Sequence, residues 1–342
     1  MSEAAALAHP NVALSKYWGK REGSGNFPAV PSLSVTLDGL ATVTRVRFDD
    51  TLEIDRVTLD GDPADARAHA RVVELIDRVR HASGESRRAE VQSHNDFPTA
   101  SGLASSASGF AALALASVRA AGLDWDSARV SDLARRSSAS AARSLFAGFV
   151  ELPAGSVAPQ AGDVLAARSV APADHMPLVV LVCVTTEAAK AVGSTQGMRV
   201  TMERSPYAEA WMHAAPRMHA RLREALLARD FAATGELSEA SALAMHASAI
   251  AAGVVYWTGA TLEILAAIRR MRAAGTLAFA TIDAGPHVKV LVTPADAVRV
   301  REALVSLPAV RRIIEARPGD GARLTPAAGA RPGPTTAAGA RP

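Results

Sequence analysis

Cysteine is almost absent: Cys183 is the only one in 342 residues. That excludes an intramolecular disulfide and a cysteine-built metal cluster, and it fits a reducing, cytoplasmic compartment. Aromatic residues make up only 4%, too few for the serial base-stacking platforms of single-strand nucleic-acid binders. Charge of one sign is in little excess, 37 Lys+Arg against 34 Asp+Glu, for a formal net charge of +3. No long Lys/Arg run forms a stripe that would track a phosphate backbone, so no nucleic-acid partner is expected. Apolar runs such as Leu178–Val184 fall far short of the roughly 20 residues a membrane span needs. The opening MSEAAALAHPNVALSKYWGK has no basic start followed by an apolar stretch, so neither a signal peptide nor a membrane anchor is expected. The nine histidines include no ligand pair at metal spacing, and no protein-built metal site is expected.

What is present is ample apolar residue, 49% of the chain, enough for a sizeable core. Asn11–Leu14, Pro31–Leu40, Ala41–Phe48, Leu52–Leu59 and Ala89–Asn95 read as strands. In the second of these Leu33, Val35 and Leu37 alternate inward against Ser34, Thr36 and Asp38. Helical periodicity runs from about Asp65 to His81, and an Ala-rich helix is expected over Gly102–Ala121, then two shorter ones at Asp126–Ser137 and Ala139–Phe146. Leu178–Val184 is a buried strand. Tyr207–Leu227 (with Pro216 as a kink or break), Phe231–Ala252, Thr261–Ala274 and Ala295–Leu307 read as helices around the strands Thr276–Ile282 and Val288–Val292. The pattern is α+β, with a lobe over residues 1–175 and a second over 176–325. Residues 326–342, where AAGARP occurs twice, carry no apolar periodicity. They are expected to be disordered and without catalytic role.

Four clusters carry candidate chemistry. The run from Pro98 to Ala107, PTASGLASSA, joins a strand to a helix through small residues, so backbone N–H groups and a helix N-terminus can approach an anion; the alternative is a tight loop packed through Ala and Ser. It is not a Walker loop, since no G-K-[ST] follows. Lys16-Tyr17-Trp18-Gly19-Lys20-Arg21 sets three cations just after a strand, suited to a polyanion; taken alone it reads better as a loop of solvated lysines. Arg135 to Arg143, RRSSASAAR, combines hydroxyls with a guanidinium that binds carboxylate or phosphate bidentately; by itself it reads better as a polar helix start. Asp283, at a strand end before Ala-Gly-Pro, suits a base toward an alcohol or an Asx turn. Cys183 reads as a small core residue.

Taken together, the segments AHPNVALSKYWGKR, SLSVTL, NDFPTASGLASSASGFAAL, ARSLFAGFVE, STQGM, MHA and DAGPHVKVL resemble the diphosphomevalonate decarboxylase family of the GHMP kinase superfamily. The likeness extends to about Leu324. It implies a two-lobed GHMP-kinase-type α+β fold with a deep cleft, and ATP-dependent decarboxylation of mevalonate 5-diphosphate after phosphorylation of its 3-hydroxyl. ATP as co-substrate, Mg2+ and a homodimer are implied as well. By the same resemblance Asp283, Lys16 and Arg143 are catalytic. Tyr17, Trp18, Gly19, Lys20, Arg71, Ser138, Ala139, Ser140, Ala141, Ala142, Arg143 and Thr195 bind substrate, and Ser101, Gly102, Leu103, Ala104, Ser105 and Ser106 bind ATP.

The chain departs from the family pattern in places. The family's G-S-G-S-A is Ser137-Ser138-Ala139-Ser140-Ala141 here, and its asparagine after DAGP is His287. A required positive φ at either lost glycine would strain the diphosphate end of the site. Three other readings stand beside the leading one: a decarboxylase of mevalonate 5-phosphate, a GHMP-type kinase that stops at phosphorylation, and a catalytically dead binding protein.

Overall fold

The computed structural model describes residues 2–23, 25–97, 105–156, 163–188 and 191–326. The small-residue loop expected at Pro98–Ser101, the first residues of the helix expected from Gly102, and nearly all of the expected tail lie outside the described residues. The first half supplies β1 (Glu3–Ala8), β2 (Asn11–Ser15), β3 (Ser32–Thr36), β4 (Thr42–Asp49), β5 (Arg56–Leu59), β6 (Asp62–Pro63), α1 (Ala66–Ser83), β7 (Arg88–Asn95), α2 (Ser105–Ala120), α3 (Ser127–Ser137), a 3-10 turn at Arg143–Leu145, β8 (Phe149–Leu152) and β9 (Arg168–Ala171). The second supplies β10 (Val179–Val184), α4 (Ser194–Arg204), α5 (Ala208–Leu227), α6 (Phe231–Ala251), α7 (Gly259–Ala273), β11 (Ala278–Ile282), β12 (Val288–Val292), α8 (Pro294–Val305), β13 (Arg312–Ala316) and β14 (Arg323–Thr325).

The strands form three sheets, ordered β14-β1-β4-β7-β5-β6, β2-β3-β8-β9 and β11-β12-β10-β13. All pairings are antiparallel except β5 with β7. The first sheet is covered by α1, α2 and α3 around Val46, Val91, Leu75, Ile76 and Phe110. α1 shows why these helices form: Asp65 accepts from the Ala68 amide at its start and Gly84, at φ 75, closes its end. Between these caps Val72, Leu75, Ile76 and Val79 make one buried stripe. A second core joins the other two sheets through Leu14, Leu33, Val35, Phe149, Val180 and Val182, sealed by Leu222 and Leu226 of α5. The outer face of the β10–β12 sheet is covered by α7 and α8. β14 returns the chain to pair with β1 of the first sheet, Ala6 opposite Leu324.

Three expectations are corrected. β3 is buried on both faces, because Ser34 accepts from Arg143 Nε and Thr36 Oγ1 donates to the Phe146 carbonyl; the polar face is satisfied inside rather than solvated. The helix expected at Ala139–Phe146 is a run of turns ending in the 3-10 turn, because Asn11 Nδ2 takes the Ser140 carbonyl at 2.9 Å. Pro216 does not break α5, which runs on to Leu227 with Trp211, Ala215, His219 and Leu222 buried on one side.

A buried network ties α5 to the sheet beneath the cleft. His219 lies 2.8 Å from Glu151 on β8 and 2.9 Å from Ser15 on β2, while Arg168 donates to the other Glu151 oxygen. The His219 contact, then Arg168, hold the Glu151 carboxyl down to about 2. A carboxylate lowered in the folded state stabilises above its unfolded value and loses that contribution as pH falls toward 2. Glu151→Gln is therefore expected to be less stable than the wild type at pH 7, with the gap closing between about pH 4.5 and 2; urea midpoints measured across that window check it.

Gly148 is at φ +66, and a Cβ there would lie 2.5 Å from the Pro172 carbonyl carbon and 2.6 Å from Ala171 O. Both are backbone, so nothing can swing aside. Gly148→Ala is expected to destabilise by about 3 kcal/mol, combining left-handed strain with overpacking, as read by chemical denaturation.

Candidate active site

A cleft of about 920 Å3 opens between the lobes, lined from β2 and the loop after it, α1, the start of α2, the end of α3, the start of α4 and the loop after β11.

Its centre is Asp283, at the end of β11. Lys16 Nζ reaches Asp283 Oδ1 at 2.7 Å and the Ala13 carbonyl at 2.9 Å, and it is 2% exposed. Lys289 Nζ lies 3.2 Å from Asp283 Oδ2. Burial raises the Asp283 carboxyl, but the two ammonium groups outweigh it and hold it well below the usual range. Burial pulls Lys16 down to about 8 against the attraction of Asp283, so Lys16 stays mainly protonated at neutral pH and the pair is ionic.

Arg143, in the 3-10 turn, also lines the cleft. Its Nε donates to Ser34 Oγ at 2.9 Å, Nη1 to Ser32 Oγ at 2.8 Å and Nη2 to Asn11 Oδ1 at 3.3 Å. All are neutral oxygens, and no carboxylate lies at ion-pair distance among the described residues. Burial lowers the guanidinium to about 10. It remains a desolvated cation, fixed in orientation, with no ion-pair partner among the described residues and only the longer-range attraction of Asp283.

The remaining predicted residues fall as follows. Lys20 Nζ bridges Asn26 Oδ1 at 2.6 Å and Thr195 Oγ1 at 3.0 Å, linking the loop after β2 to the start of α4. Arg71 of α1 donates to the Ser137 carbonyl at 3.0 Å and stacks over Phe110. Ser138 and Ser140 share a hydroxyl contact of 3.1 Å and line the cleft with Ala139, Ser105 and Ser106. Tyr17 Oη and Trp18 Nε1 are buried without partners. Ala141 and Ala142 are 0% exposed and packed in the cores beneath the cleft floor, and Gly19, at φ +121, turns the chain just outside the lining. Ser101, Gly102, Leu103 and Ala104 lie outside the described residues. Ser138 is extended at φ −154, and neither Ser137 nor Ala139 is among the non-glycine residues of positive φ. The lost glycines therefore impose no backbone strain.

Sequence reasoning missed Asn11, Asn26, Ser32, Ser34 and Lys289. A lone lysine inside VKVLV was the available signal for the last, since a buried strand holds a charge only when a partner waits. His287, in place of the family asparagine, lines the cleft. Burial lowers its ring to about 4, so it is neutral, and its Nδ1 accepts from the Thr185 amide at 3.2 Å.

The α+β fold around this cleft is of the GHMP type, as its superposition on the solved relatives described below shows. The model of the diphosphomevalonate decarboxylase-like N-terminal domain matches residues 8–163, and that of the mevalonate 5-diphosphate decarboxylase C-terminal domain matches residues 180–320. The chain belongs to the diphosphomevalonate decarboxylase family. It is 36% identical to the Bos taurus diphosphomevalonate decarboxylase over 304 residues, covering 82% of this chain and 74% of that one. For the Ganoderma lucidum enzyme the figures are 34% over 321 residues, 87% and 80%. Among solved structures, the mevalonate diphosphate decarboxylase of Staphylococcus aureus superposes with a TM-score of 0.88 at 32% identity, covering 95% of this chain and 98% of that one. A relative solved in complex with MVAPP, AMPPCP and magnesium gives 0.88 at 35%, covering 94% and 98%. Among the described residues no helix is long and apolar enough to cross a membrane.

Proposed function

We propose that this chain converts mevalonate 5-diphosphate and ATP to isopentenyl diphosphate, ADP, phosphate and carbon dioxide. The observation that carries this reading is Arg143, a buried guanidinium held by three neutral oxygens across the cleft from an ionised aspartate. A kinase acting on a plain alcohol needs the aspartate but has no use for a second, uncompensated cation. A substrate whose carboxylate must be held until it departs does.

Asp283 accepts the hydrogen bond of the 3-hydroxyl and takes its proton as oxygen attacks the γ-phosphorus of ATP. Lys16 offsets the charge that gathers on the transferring phosphoryl group. The C3–O bond then breaks with the phosphate taking its electron pair, and the pair of the carboxylate C–C bond forms the new double bond. Phosphorylation matters because hydroxide is a poor leaving group. Arg143 holds the carboxylate in line with the departing oxygen, and Lys20, Arg71, Ser138, Ser140 and Thr195 bind the diphosphate. Ser105 and Ser106, opening α2, meet the ATP phosphates. Among the described residues no group of three His, Cys, Asp or Glu converges on a metal site. Magnesium, which supplies charge neutralisation on ATP, would be held by phosphate oxygens, water and these serine hydroxyls, the hard donors it prefers.

The two lobes, residues 1–175 and 176–325, act as one unit across this cleft, and the family resemblance favours a cytoplasmic homodimer, which sedimentation velocity tests. The activity is tested by incubating the purified protein with ATP, Mg2+ and either mevalonate 5-diphosphate or mevalonate 5-phosphate. Equal release of carbon dioxide and ADP from the diphosphate is expected, and ADP without carbon dioxide would make the protein a kinase.

A further inference from the structure

Lys289 is 1% exposed, in the middle of β12, whose five residues are all buried. Its backbone sits opposite Val182 of β10 on one side and Thr281 of β11 on the other. It is absent from the cleft lining, which includes Asp283 and Lys16. An apolar side chain would suit this strand better: a buried ammonium forfeits its hydration, and attraction to one partner often fails to restore the loss. Fold alone gives no reason to keep it.

The geometry supplies one. Lys16 takes Asp283 Oδ1 at 2.7 Å, and Lys289 approaches Oδ2 at 3.2 Å. A carboxylate gripped at one oxygen can still turn about its terminal torsion, where the preferred wells are broad; a second cation behind it removes that freedom. We propose that Lys289 is a positioning residue that fixes and keeps ionised the aspartate of the reaction without itself touching substrate. This rests on the assignment of Asp283 to the chemistry. The other charged or titratable groups facing Asp283 are Lys16 from the end of β2, Arg143 from the 3-10 turn and His246 from α6, whose ring burial holds at about 4. Lys16 and Lys289 are the two cations within ion-pair reach of the carboxylate, and of the two only Lys16 lines the cleft.

Lys289→Met keeps the length of the unbranched stem while removing the charge. It is expected to lower kcat about 10- to 100-fold, with KM for ATP and for mevalonate 5-diphosphate within about threefold of wild type. Lys289→Gln, which restores a donor without charge, should recover part of kcat with both KM values unchanged. A purely structural role would lower the melting temperature and the fraction of active protein but leave kcat per active site at the wild-type value. Wild-type kcat per active site in Lys289→Met would overturn the proposal. Asp283→Asn separates the two levels: if that variant remains active, the assignment of Asp283 itself fails. If it is inactive while Lys289→Met behaves as wild type, only the role of Lys289 fails. Adding Lys289→Met to Asp283→Asn should raise its melting temperature, since it removes an ammonium left without its carboxylate. A further drop would show that Lys289 acts elsewhere.

Discussion

Asp283→Asn is expected to lose kcat by about 10³-fold or more, at the upper end of what a positioned proton acceptor contributes. The amide cannot take the 3-hydroxyl proton, and its NH2 end must turn toward either Lys16 or Lys289, each placed to donate to an oxygen. The loss should be as large at pH 9 as at pH 7, because no accessible pH restores an acceptor. ATP binding, followed by calorimetry, should stay close to wild type, since the serines opening α2 are untouched. The melting temperature should fall by several degrees: two buried ammonium groups lose their shared counter-charge, and breaking such a pair costs roughly 3–5 kcal/mol. Retention of even a tenth of wild-type kcat in a folded sample would remove Asp283 from the chemistry. A second expectation separates its partners. Lys16 is lowered to about 8 by burial, so turnover should decline above that pH, and Lys16→Arg, if active at all, should lose the alkaline limb.

Much of the fold was legible in the sequence, for identifiable reasons. α1, α3, β10, β11 and β12 follow from periodicity and from Asp caps at Asp65 and Asp126, where local preference and burial agree. β1, Glu3–Ala8, was invisible because alanine favours helix; pairing with β4 on one side and β14 on the other overrides that preference. β13 and β14 are short edge strands whose partners are distant in sequence, and α4, with STQGMRVTMER, buries little beyond Gly197, Met198 and Thr201. In the candidate site, local reading favoured a solvated loop for Lys16 and a polar helix start for Arg143. Both are buried, at 2% each, because partners 132 or more positions away, Asn11 and Asp283, take their donors. Only resemblance across separated segments brought these residues together beforehand. Lys289 stayed out of view because its meaning depends on an aspartate across a loop, even though the charge inside VKVLV was plain.

Arg143→Gln carries the second large effect, and its form distinguishes the two halves of the reaction. The guanidinium is oriented by Ser32, Ser34 and Asn11, so its position does not depend on substrate. Glutamine keeps polarity and part of the volume but removes the charge that faces the carboxylate. In the proposed mechanism, phosphorylation of the 3-hydroxyl depends on Asp283, Lys16 and ATP, all unaltered, whereas departure of carbon dioxide requires the carboxylate held in line with the leaving phosphate. The expected result is a fall in carbon dioxide release of about 10²- to 10³-fold, the cost of removing one preorganised electrostatic contact. ADP release in the first turnover should fall much less. The 3-phosphorylated substrate should then accumulate on the enzyme, visible by quenching a single turnover and separating the products. Arg143→Lys should recover little, because an ammonium cannot reproduce the fork that meets three oxygens at once. If ADP and carbon dioxide fall together by the same factor, Arg143 instead orders the substrate for both steps, and its value lies in binding before chemistry begins.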